Sequence, residues 1–144
     1  MAKNLAESAR GHGPSPLPKQ LRILVADDDR DAVLTLMTLL RDDGHDVRGV
    51  YKGRQALDAF ASFEPDVLLL DIALPELSGW EVAREIKARH RKHPLIVGIS
   101  GEYKSRSDAI LSEIIGFDHY LTKPYAIDDL VALIAPLRFP KDSD

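Results

Sequence analysis

The amino-acid sequence predicts an α/β fold built on a doubly wound, five-stranded parallel sheet. Short apolar runs alternate with amphipathic stretches from Leu21 onward, a pattern typical of repeated strand and helix units. The most apolar run, residues 67–70, does not alternate polar with apolar residues, as expected for a strand that is buried on both faces of a parallel sheet. Parallel neighbours need crossover connections, and right-handed crossovers place helices on both faces of the sheet.

Five short segments are predicted to be strands. Most are apolar runs too short for a buried helix and bounded by turn-forming or charged residues, although the second is a poorer strand because it contains Arg48 and Gly49. In chain order they are residues 23–26, 47–51, 67–70, 95–100 and 120–121.

Five amphipathic stretches are predicted to be helices. Their apolar faces lie, in chain order, within residues 33–40, 56–61, 82–86, 105–116 and 127–134. Most show the i, i+3, i+4, i+7 spacing of one helix face, and residues 105–116 open with a capping-box pattern. We expect Gly44 to end the first helix with a left-handed cap, Pro65 to close the second and Pro136 to stop the last.

Length and composition limit the class of protein. The chain has 144 residues, 44% of them hydrophobic, and no cysteine. A chain of this size buries about 70% of its unfolded surface, so it needs no disulfide or structural metal. The lack of cysteine excludes thiolate catalysis and cysteine-type zinc sites. The sequence contains no stretch near the roughly 20 apolar residues of a membrane span and no apolar signal segment, so we expect a cytoplasmic protein without membrane association.

Composition also divides the chain. Residues 1–19 are rich in glycine and proline without a helical or strand period, and we expect a disordered tail or linker. Residues 20–138 form the predicted domain, and residues 139–144 form a short polar tail. The chain carries a net charge of −4. Because the tail is basic, the predicted domain is distinctly acidic, which argues against direct nucleic-acid binding.

Polar side chains follow the predicted strands where a doubly wound sheet binds its ligands. Asp27 and Asp28 follow the first strand, Asp71 follows the third, Ser100 ends the fourth and Lys123 follows the fifth. Ligands in this architecture lie beyond the carboxyl ends of the strands. We therefore expect three carboxylates, a hydroxyl and an amine to converge there.

This expected cluster points to Mg²⁺ and to phosphoryl chemistry. Unit charges about 4 Å apart repel by about 4 kcal/mol at an effective dielectric of 20, so Asp27, Asp28 and Asp71 require a cation. Oxygen ligands without histidine or cysteine favour Mg²⁺ over zinc. Asp71 is the candidate nucleophile, because a carboxylate can accept phosphate covalently.

Simpler interpretations exist for single features. An aspartate run is by itself more often a turn and a helix N-cap, and Tyr120 alone is more often an aromatic residue at the edge of the core. The sequence lacks a nucleophile elbow and the glycine patterns of nucleotide-binding loops, which argues against those hydrolase and nucleotide-binding functions.

Taken in order, the motifs resemble the receiver domain of two-component response regulators. They are ILVADDD at residues 23–29, LLLDIALPELSG at residues 68–79, Ser100-Gly101, and YLTKP at residues 120–124. The resemblance covers residues 21–137 and implies a flavodoxin-like sheet with strand order 2-1-3-4-5. Two departures concern the loop after Asp71, where Glu76 stands in place of a frequent glycine and Ser78 in place of a frequent aspartate. Neither is expected to alter the chemistry.

The resemblance implies a role for each acidic residue. Asp71 would be the phosphoacceptor. Asp28 and Asp71 would ligate Mg²⁺ directly, together with the backbone carbonyl of Ala73. Asp27 would act mainly through water.

It also implies how the phosphoryl group is held and sensed. Ser100 would bond a phosphoryl oxygen, and Lys123 would pair with the phosphoryl group. The peptide bond before Pro124 would be cis, which aims the lysine. Tyr120 would be an aromatic switch that responds to the position of Ser100.

The implied function is a signalling module that is an enzyme only toward itself. A histidine kinase or histidine phosphotransfer protein would supply the phosphoryl group. The phosphorylated domain would bind an unidentified downstream protein or form a phosphorylation-dependent dimer. The native protein would be a stand-alone regulator or the receiver of a hybrid histidine kinase.

Two other functions stay open. One is a Mg²⁺-dependent aspartyl-phosphate phosphohydrolase, because Asp27 and Asp29 form an Asp-x-Asp pair after the first strand. Asp31 argues against it, since such enzymes carry threonine or valine there. The other is a receiver-like scaffold that binds a partner regardless of phosphate.

Overall fold

The structure, a computed structural model, describes residues 17–90, 94–101 and 117–139. The strands in these ranges are β1 (Arg22–Ala26), β2 (Asp46–Val50), β3 (Val67–Asp71), β4 (Leu95–Ser100) and β5 (His119–Thr122). The helices are α1 (Arg30–Asp42), α2 (Gly53–Phe63), α3 (Gly79–Arg89) and α4 (Ile127–Arg138). The predicted helix at residues 105–116 lies outside the described residues, and within the described ones no helix is long and apolar enough to cross a membrane.

The strands form one parallel sheet in the order β2-β1-β3-β4-β5. This confirms the predicted doubly wound fold and its strand order. Every residue of β3 is buried, in agreement with a strand that is covered on both faces. The chain winds in opposite directions from the gap between β1 and β3, so the carboxyl ends of these two strands open the crevice in which such folds bind ligands.

Alternate residues of β1, β3 and β4 supply two separate cores. Ile23 and Val25 of β1 pack in a cluster with apolar residues of α1 and α4. Leu24 and Ala26 pack in a second cluster with apolar residues of α2 and α3. This alternation follows from the two-residue period of a strand, and it fixes the register in which the strand ends meet.

The end of α1 agrees with the sequence prediction. The residue after its C-cap, Gly44, has a φ of +96°, a backbone conformation that favours glycine, and its N–H donates to the Arg41 carbonyl at 2.9 Å.

The prediction that Pro136 stops the last helix is wrong, because α4 continues to Arg138 with Pro136 inside it. Proline lacks an amide donor, but its fixed φ fits a helix. The final turn is held from outside the helix. The Lys19 N–H donates to the Arg138 carbonyl at 2.8 Å, the Arg138 guanidinium pairs with Asp43 at 2.9 Å, and Leu137 packs against the core.

Candidate functional site

Three aspartates meet at the carboxyl ends of β1 and β3. Asp27 and Asp28 directly follow β1, and Asp71 is the last residue of β3. One carboxylate oxygen of each lies within 4.8 Å of the others. Asp27 and Asp71 are only 3% and 6% exposed, whereas Asp28 is open to solvent. The predicted convergence of these residues is therefore present in the structure.

The two buried carboxylates are held in the same way. Asp27 Oδ1 accepts a hydrogen bond from the Asp29 N–H at 3.0 Å, and Asp71 Oδ1 accepts one from the Ala73 N–H at 2.9 Å. Their other oxygens face Lys123, whose Nζ lies 2.8 Å from Asp27 Oδ2 and 3.3 Å from Asp71 Oδ2. One ammonium thus bridges two carboxylates that the chain separates by 44 positions.

Burial and charge shift the acidities of these groups in different directions. Burial raises the pKa of Asp27, but hydrogen bonds from Lys123 and from the Asp29 amide outweigh it, so the net shift is downward. Burial opposes the charged form of Lys123, yet the two carboxylates raise its pKa. Burial, together with the adjacent Asp27 carboxylate, raises the pKa of Asp71 to about 6, although the hydrogen bond from the Ala73 N–H lowers it. Asp71 therefore bears a buried negative charge that Lys123 does not fully compensate.

The donor set fits a hard divalent cation. The cluster offers carboxylate oxygens without histidine or cysteine, and its exposed member, Asp28, opens it to solvent. Mg²⁺ commonly binds through one or two carboxylates plus water and phosphate oxygens. The raised pKa of Asp71 shows where added positive charge would stabilise the ionised form.

The remaining predicted site residues lie at neighbouring strand ends. Ser100 ends β4, and its carbonyl accepts a hydrogen bond from the Lys123 N–H at 2.7 Å. The Lys123–Pro124 peptide bond is cis, as the resemblance implies. Tyr120 lies on β5 outside the carboxylate cluster, with its ring 6.3 Å from that of Phe117.

Asp29 has a different role from its two neighbours. Its carboxylate caps α1 and accepts hydrogen bonds from the N–H groups of Asp31 and Ala32 at 3.1 and 3.2 Å. The ordinary N-cap interpretation therefore applies to this aspartate alone, and Asp29 does not form an acidic pair with Asp27 in the cluster.

Sequence reasoning missed the part that Ser78 plays beside the site. Ser78 Oγ accepts from the Glu81 N–H at 3.2 Å, and the Ser78 N–H donates to the Glu81 carboxylate at 3.0 Å. This capping box fixes the start of α3 and so the far end of the loop that follows Asp71. The Ser-x-x-Glu pattern was the sequence signal for it.

An open hollow of about 600 Å³ adjoins the cluster. Asp27 and Lys123 form its polar side, and Leu36, Leu39 and Tyr125 contribute apolar surface. A second hollow of about 690 Å³ lies at the opposite edge of the sheet, far from these carboxylates, and contains none of the predicted site residues.

The fold and the site together define a flavodoxin-like α/β protein with an acidic, lysine-bridged cluster at its switch point. Comparison with known families identifies it further. The response regulator receiver domain matches residues 23–135, and the chain belongs to that family. Receiver domains of this kind are signalling modules of two-component systems. They generally bind Mg²⁺ at an acidic pocket and interact with histidine kinases or phosphotransfer proteins.

Individual relatives agree with this assignment. The response regulator MprA of Mycobacterium avium is 38% identical over 125 residues, which cover 86% of this chain and 54% of MprA. The chain thus spans about half the length of such curated relatives.

Solved structures agree as well. The receiver domain of Francisella response regulator 1452 superposes with a TM-score of 0.75 at 28% identity, covering 83% of this chain and 97% of that one. The BeF3-activated N-terminal receiver domain of Klebsiella pneumoniae RstA gives 0.73 at 26% identity, covering 83% and 99%.

Proposed function

We propose that this protein accepts a phosphoryl group on Asp71 from a histidine kinase or a histidine phosphotransfer protein, in a Mg²⁺-dependent step, and thereby switches a protein-interaction surface. The observation that carries the proposal is the buried Asp71 carboxylate, which lies within 4.8 Å of two further aspartates and 3.3 Å from the Lys123 ammonium. This arrangement concentrates the groups that phosphoryl transfer needs at the edge where the fold binds ligands.

Asp71 is suited to be the nucleophile. Its pKa of about 6 leaves it mostly ionised at neutral pH, so an oxygen lone pair is available to phosphorus. In the proposed step this oxygen bonds to phosphorus while the bond between phosphorus and the donor histidine nitrogen breaks, and the nitrogen keeps the electron pair. The Ala73 N–H holds the carboxylate in place for this attack.

Lys123 and Ser100 would stabilise the product. The Lys123 ammonium already lies between Asp27 and Asp71, so a short movement brings it to a phosphoryl oxygen. Ser100 ends the strand next to β3 and is tied to Lys123 through its carbonyl. Preformed donors that meet developing negative charge are the main source of stabilisation in such reactions.

We propose that Asp28, Asp71 and the Ala73 carbonyl hold the Mg²⁺ and that Asp27 acts mainly through water. Bound there, the ion would neutralise charge on the phosphoryl oxygens. Two features of the chain support this assignment. Asp28 is the exposed carboxylate of the cluster, and Lys123 lies closer to Asp27, at 2.8 Å, than to Asp71, at 3.3 Å, so Asp27 is the more firmly paired of the two buried carboxylates.

The proposed output is a change of surface and not a chemical product. Phosphate bound by Ser100 would draw that residue toward the site, and Tyr120 on the neighbouring strand would respond. The affected face would engage a downstream protein or a second copy of the chain, without direct nucleic-acid binding. A related receiver domain, that of RstA, is described as BeF3-activated, which supports an acyl-phosphate mimic as a probe.

The position of Asp29 argues against the phosphohydrolase alternative. It requires an Asp-x-Asp pair in the site, and the Asp29 carboxylate instead caps α1. A scaffold that binds its partner regardless of phosphate does not explain why three carboxylates, including that of Asp71, and an ammonium are gathered at one site.

The proposal is tested by incubating the protein with Mg²⁺ and phosphoramidate, which carries the phosphorus–nitrogen bond of a phosphohistidine donor. We expect one hydroxylamine-sensitive phosphate per chain in the wild type and none in Asp71→Asn, since an amide cannot form an acyl phosphate. Asp58→Asn, at an exposed position on α2, is the matched control and should be phosphorylated normally.

Phosphate retained by Asp71→Asn at the wild-type level would place the acceptor elsewhere. Repeated turnover of phosphorylated small molecules would favour the phosphohydrolase. Partner binding that is equal with and without phosphate would favour the scaffold.

A further inference from the structure

The loop between β3 and α3, residues 72–78, connects the proposed phosphoacceptor to the rest of the molecule. It begins directly after Asp71 and contains Ala73, whose peptide group is proposed to serve the metal. At its start the Ile72 N–H donates to the Ile99 carbonyl at 2.9 Å, and the Gly79 N–H donates to the Ile72 carbonyl at 2.8 Å. The neighbouring strand and the first residue of α3 thus fix the ends of the loop.

The middle of the loop rests on the first residue of α2. The buried Gly53 N–H donates to the Pro75 carbonyl at 3.2 Å. A Cβ atom at Gly53 would lie 2.2 Å from the Leu77 carbonyl oxygen and 2.5 Å from Leu77 Cβ. Both distances are shorter than any ordinary contact, and the first is to backbone. Only glycine therefore lets the loop lie this close to α2.

Other contacts also hold the loop against α2, but none of them substitutes for the close packing at Gly53. Leu77 packs against the core cluster that α2 and α3 share. Lys52 and Glu76 form an ion pair at 3.9 Å, but both side chains are half exposed, so its contribution is small. Glu76 has a φ of +72°, a left-handed conformation that costs a non-glycine residue free energy unless its surroundings impose it. The loop is therefore held in its shape by its neighbours and not by its own conformational preferences.

We propose that Gly53 is a positioning residue of the phosphorylation site, one that sets the affinity for Mg²⁺ by fixing the loop that bears Ala73. This inference rests on the proposed function, since it concerns the proposed metal ligands. Gly53 is not one of the proposed ligands of the metal or of the phosphoryl group. It acts through Pro75 and Leu77, which hold the loop so that the Ala73 peptide and the Asp71 carboxylate keep their relative positions.

The main test compares two glycine-to-alanine variants by calorimetric titration with MgCl₂. Gly53→Ala displaces the loop, because the added methyl meets a backbone carbonyl. Gly49→Ala adds the same methyl in β2, where it would lie 2.3 Å from Val33 Cγ1 and 2.8 Å from Met37 Sδ, both side-chain atoms of α1. The nearest contacts are similar in length, 2.2 and 2.3 Å, but the Gly53 methyl meets backbone whereas the Gly49 methyl meets side chains, and only Gly53 contacts the loop.

We expect Gly53→Ala to raise the Kd for Mg²⁺ about tenfold or more, the usual scale for losing a group that orients metal ligands. Gly49→Ala should stay within about twofold of the wild type, since it shares no partner with the loop. Urea unfolding of both variants separates this change in affinity from lost stability. Equal weakening of Mg²⁺ binding in the two variants, or none in Gly53→Ala, would overturn the inference.

The wild-type protein provides a second test that needs no variant to fold. If the contact between Gly53 and Pro75 favours Mg²⁺ binding, Mg²⁺ must strengthen the contact by the same factor. Amide hydrogen exchange at Gly53 should therefore slow about tenfold at saturating Mg²⁺, to match the affinity change. The Gly44 N–H, bonded to the Arg41 carbonyl at the opposite edge, should not change. Unchanged exchange at Gly53 would overturn the inference.

These outcomes distinguish the inference from the proposed function. If the wild type binds Mg²⁺ and Asp28→Ala abolishes binding while Gly53→Ala does not, the metal site stands and only the role of Gly53 is wrong. If the wild type does not bind Mg²⁺, both are wrong.

Discussion

The two edges of the sheet arrange charged and polar groups in opposite ways. At the carboxyl edge, where the strands end, Asp27, Asp28 and Asp71 form a cluster in which Lys123 pairs with Asp27 and Asp71, and burial raises the pKa of Asp71 to about 6. At the amino edge, where the strands begin, Asp43 pairs with Arg138 at 2.9 Å. The carboxyl edge has an excess of negative charge, whereas this pair at the amino edge is matched in charge.

A buried histidine completes the amino edge. His45 is 4% exposed, and its Nδ1 accepts a hydrogen bond from the Leu21 N–H at 3.1 Å. Burial, together with the nearby Arg138 charge, lowers the pKa of His45, although Asp43 opposes the shift. The ring is therefore neutral at neutral pH, and its acceptor nitrogen joins the start of β1 to the turn before β2.

On the proposed function, the carboxyl edge serves phosphoryl chemistry, whereas the amino edge contributes to stability. Like charges at the carboxyl edge cost folding free energy that a bound cation or a phosphoryl group can recover. The polar groups of the amino edge join chain segments. The two edges should also respond to pH with opposite signs, because the pKa of Asp71 is raised and that of His45 is lowered.

The largest effect should come from removing the exposed ligand at the carboxyl edge. Asp28→Ala should weaken Mg²⁺ binding by about a hundredfold, because too few fixed oxygens remain to replace water around the ion. Calorimetric titration measures this. Asp31→Ala removes a nearby carboxylate of α1 that lies outside the cluster, and it should bind Mg²⁺ normally. Unchanged affinity in Asp28→Ala would remove Asp28 from the site.

The next effect concerns the cost of the buried charge. Asp71 has a raised pKa in the folded state, so its contribution to stability is fully present below about pH 3.8 and is lost as the pH rises through about 6. Without Mg²⁺ at pH 7.5, Asp71→Asn should therefore raise the free energy of unfolding by about 2 kcal/mol. Urea unfolding measures it, with Asp58→Asn as the exposed control.

Saturating Mg²⁺ should reduce this difference, because only the wild type gains stability from the full set of ligands. Equal stability of the two proteins without Mg²⁺ would show that the ionised Asp71 carries no penalty.

The amino edge should show the opposite pH dependence. The folded-state pKa of His45 lies below its ordinary value of 6.5, so its stabilisation is present above pH 6.5 and is lost as the pH falls through the folded-state pKa. In an Asp71→Asn background, the free energy of unfolding should decrease below pH 6.5 with a slope of at most about 1.4 kcal/mol per pH unit from this group.

Adding His45→Asn should remove that slope, because asparagine can still accept from the Leu21 N–H but does not titrate. Parallel stability curves for the proteins with and without His45→Asn would contradict the assignment.

The smallest effect should come from the ion pair at the amino edge. Asp43→Asn should lower the free energy of unfolding by about 0.5–1 kcal/mol, the range of partly exposed pairs, and leave Mg²⁺ affinity unchanged. Asp42→Asn, an exposed neighbour outside this pair, is the control for urea unfolding. A changed Mg²⁺ affinity in Asp43→Asn would show that the two edges are coupled.

Much of the fold was predictable because it depends on local periodicity. The strand alternation that separates Ile23 and Val25 from Leu24 and Ala26 is visible in the sequence, and so is the continuous run of β3. The doubly wound topology then places Asp27 and Asp71 together without any knowledge of side-chain contacts.

Predictions from local rules were wrong or incomplete where distant segments meet. Pro136 has the usual properties of a helix breaker, but contacts from Lys19 and Asp43 hold the last turn of α4. No local sequence pattern distinguishes His45 from an exposed histidine, because its hydrogen-bond partner, Leu21, lies 24 positions away in the chain. A proline inside a helix costs about 3 kcal/mol or more, and several tertiary contacts acting together can offset a cost of this size.

The sequence by itself determined the residue types, the order of the elements and the strand ends at which Asp27, Asp71 and Lys123 fall, because each depends on spacing along the chain. The tertiary structure decided which carboxylates are buried, that one ammonium bridges two of them, and that Asp29 caps a helix instead. It also decided that Gly53 lies against Leu77. These properties depend on distances between segments far apart in the chain, and only the packing of helices on the sheet fixes those distances.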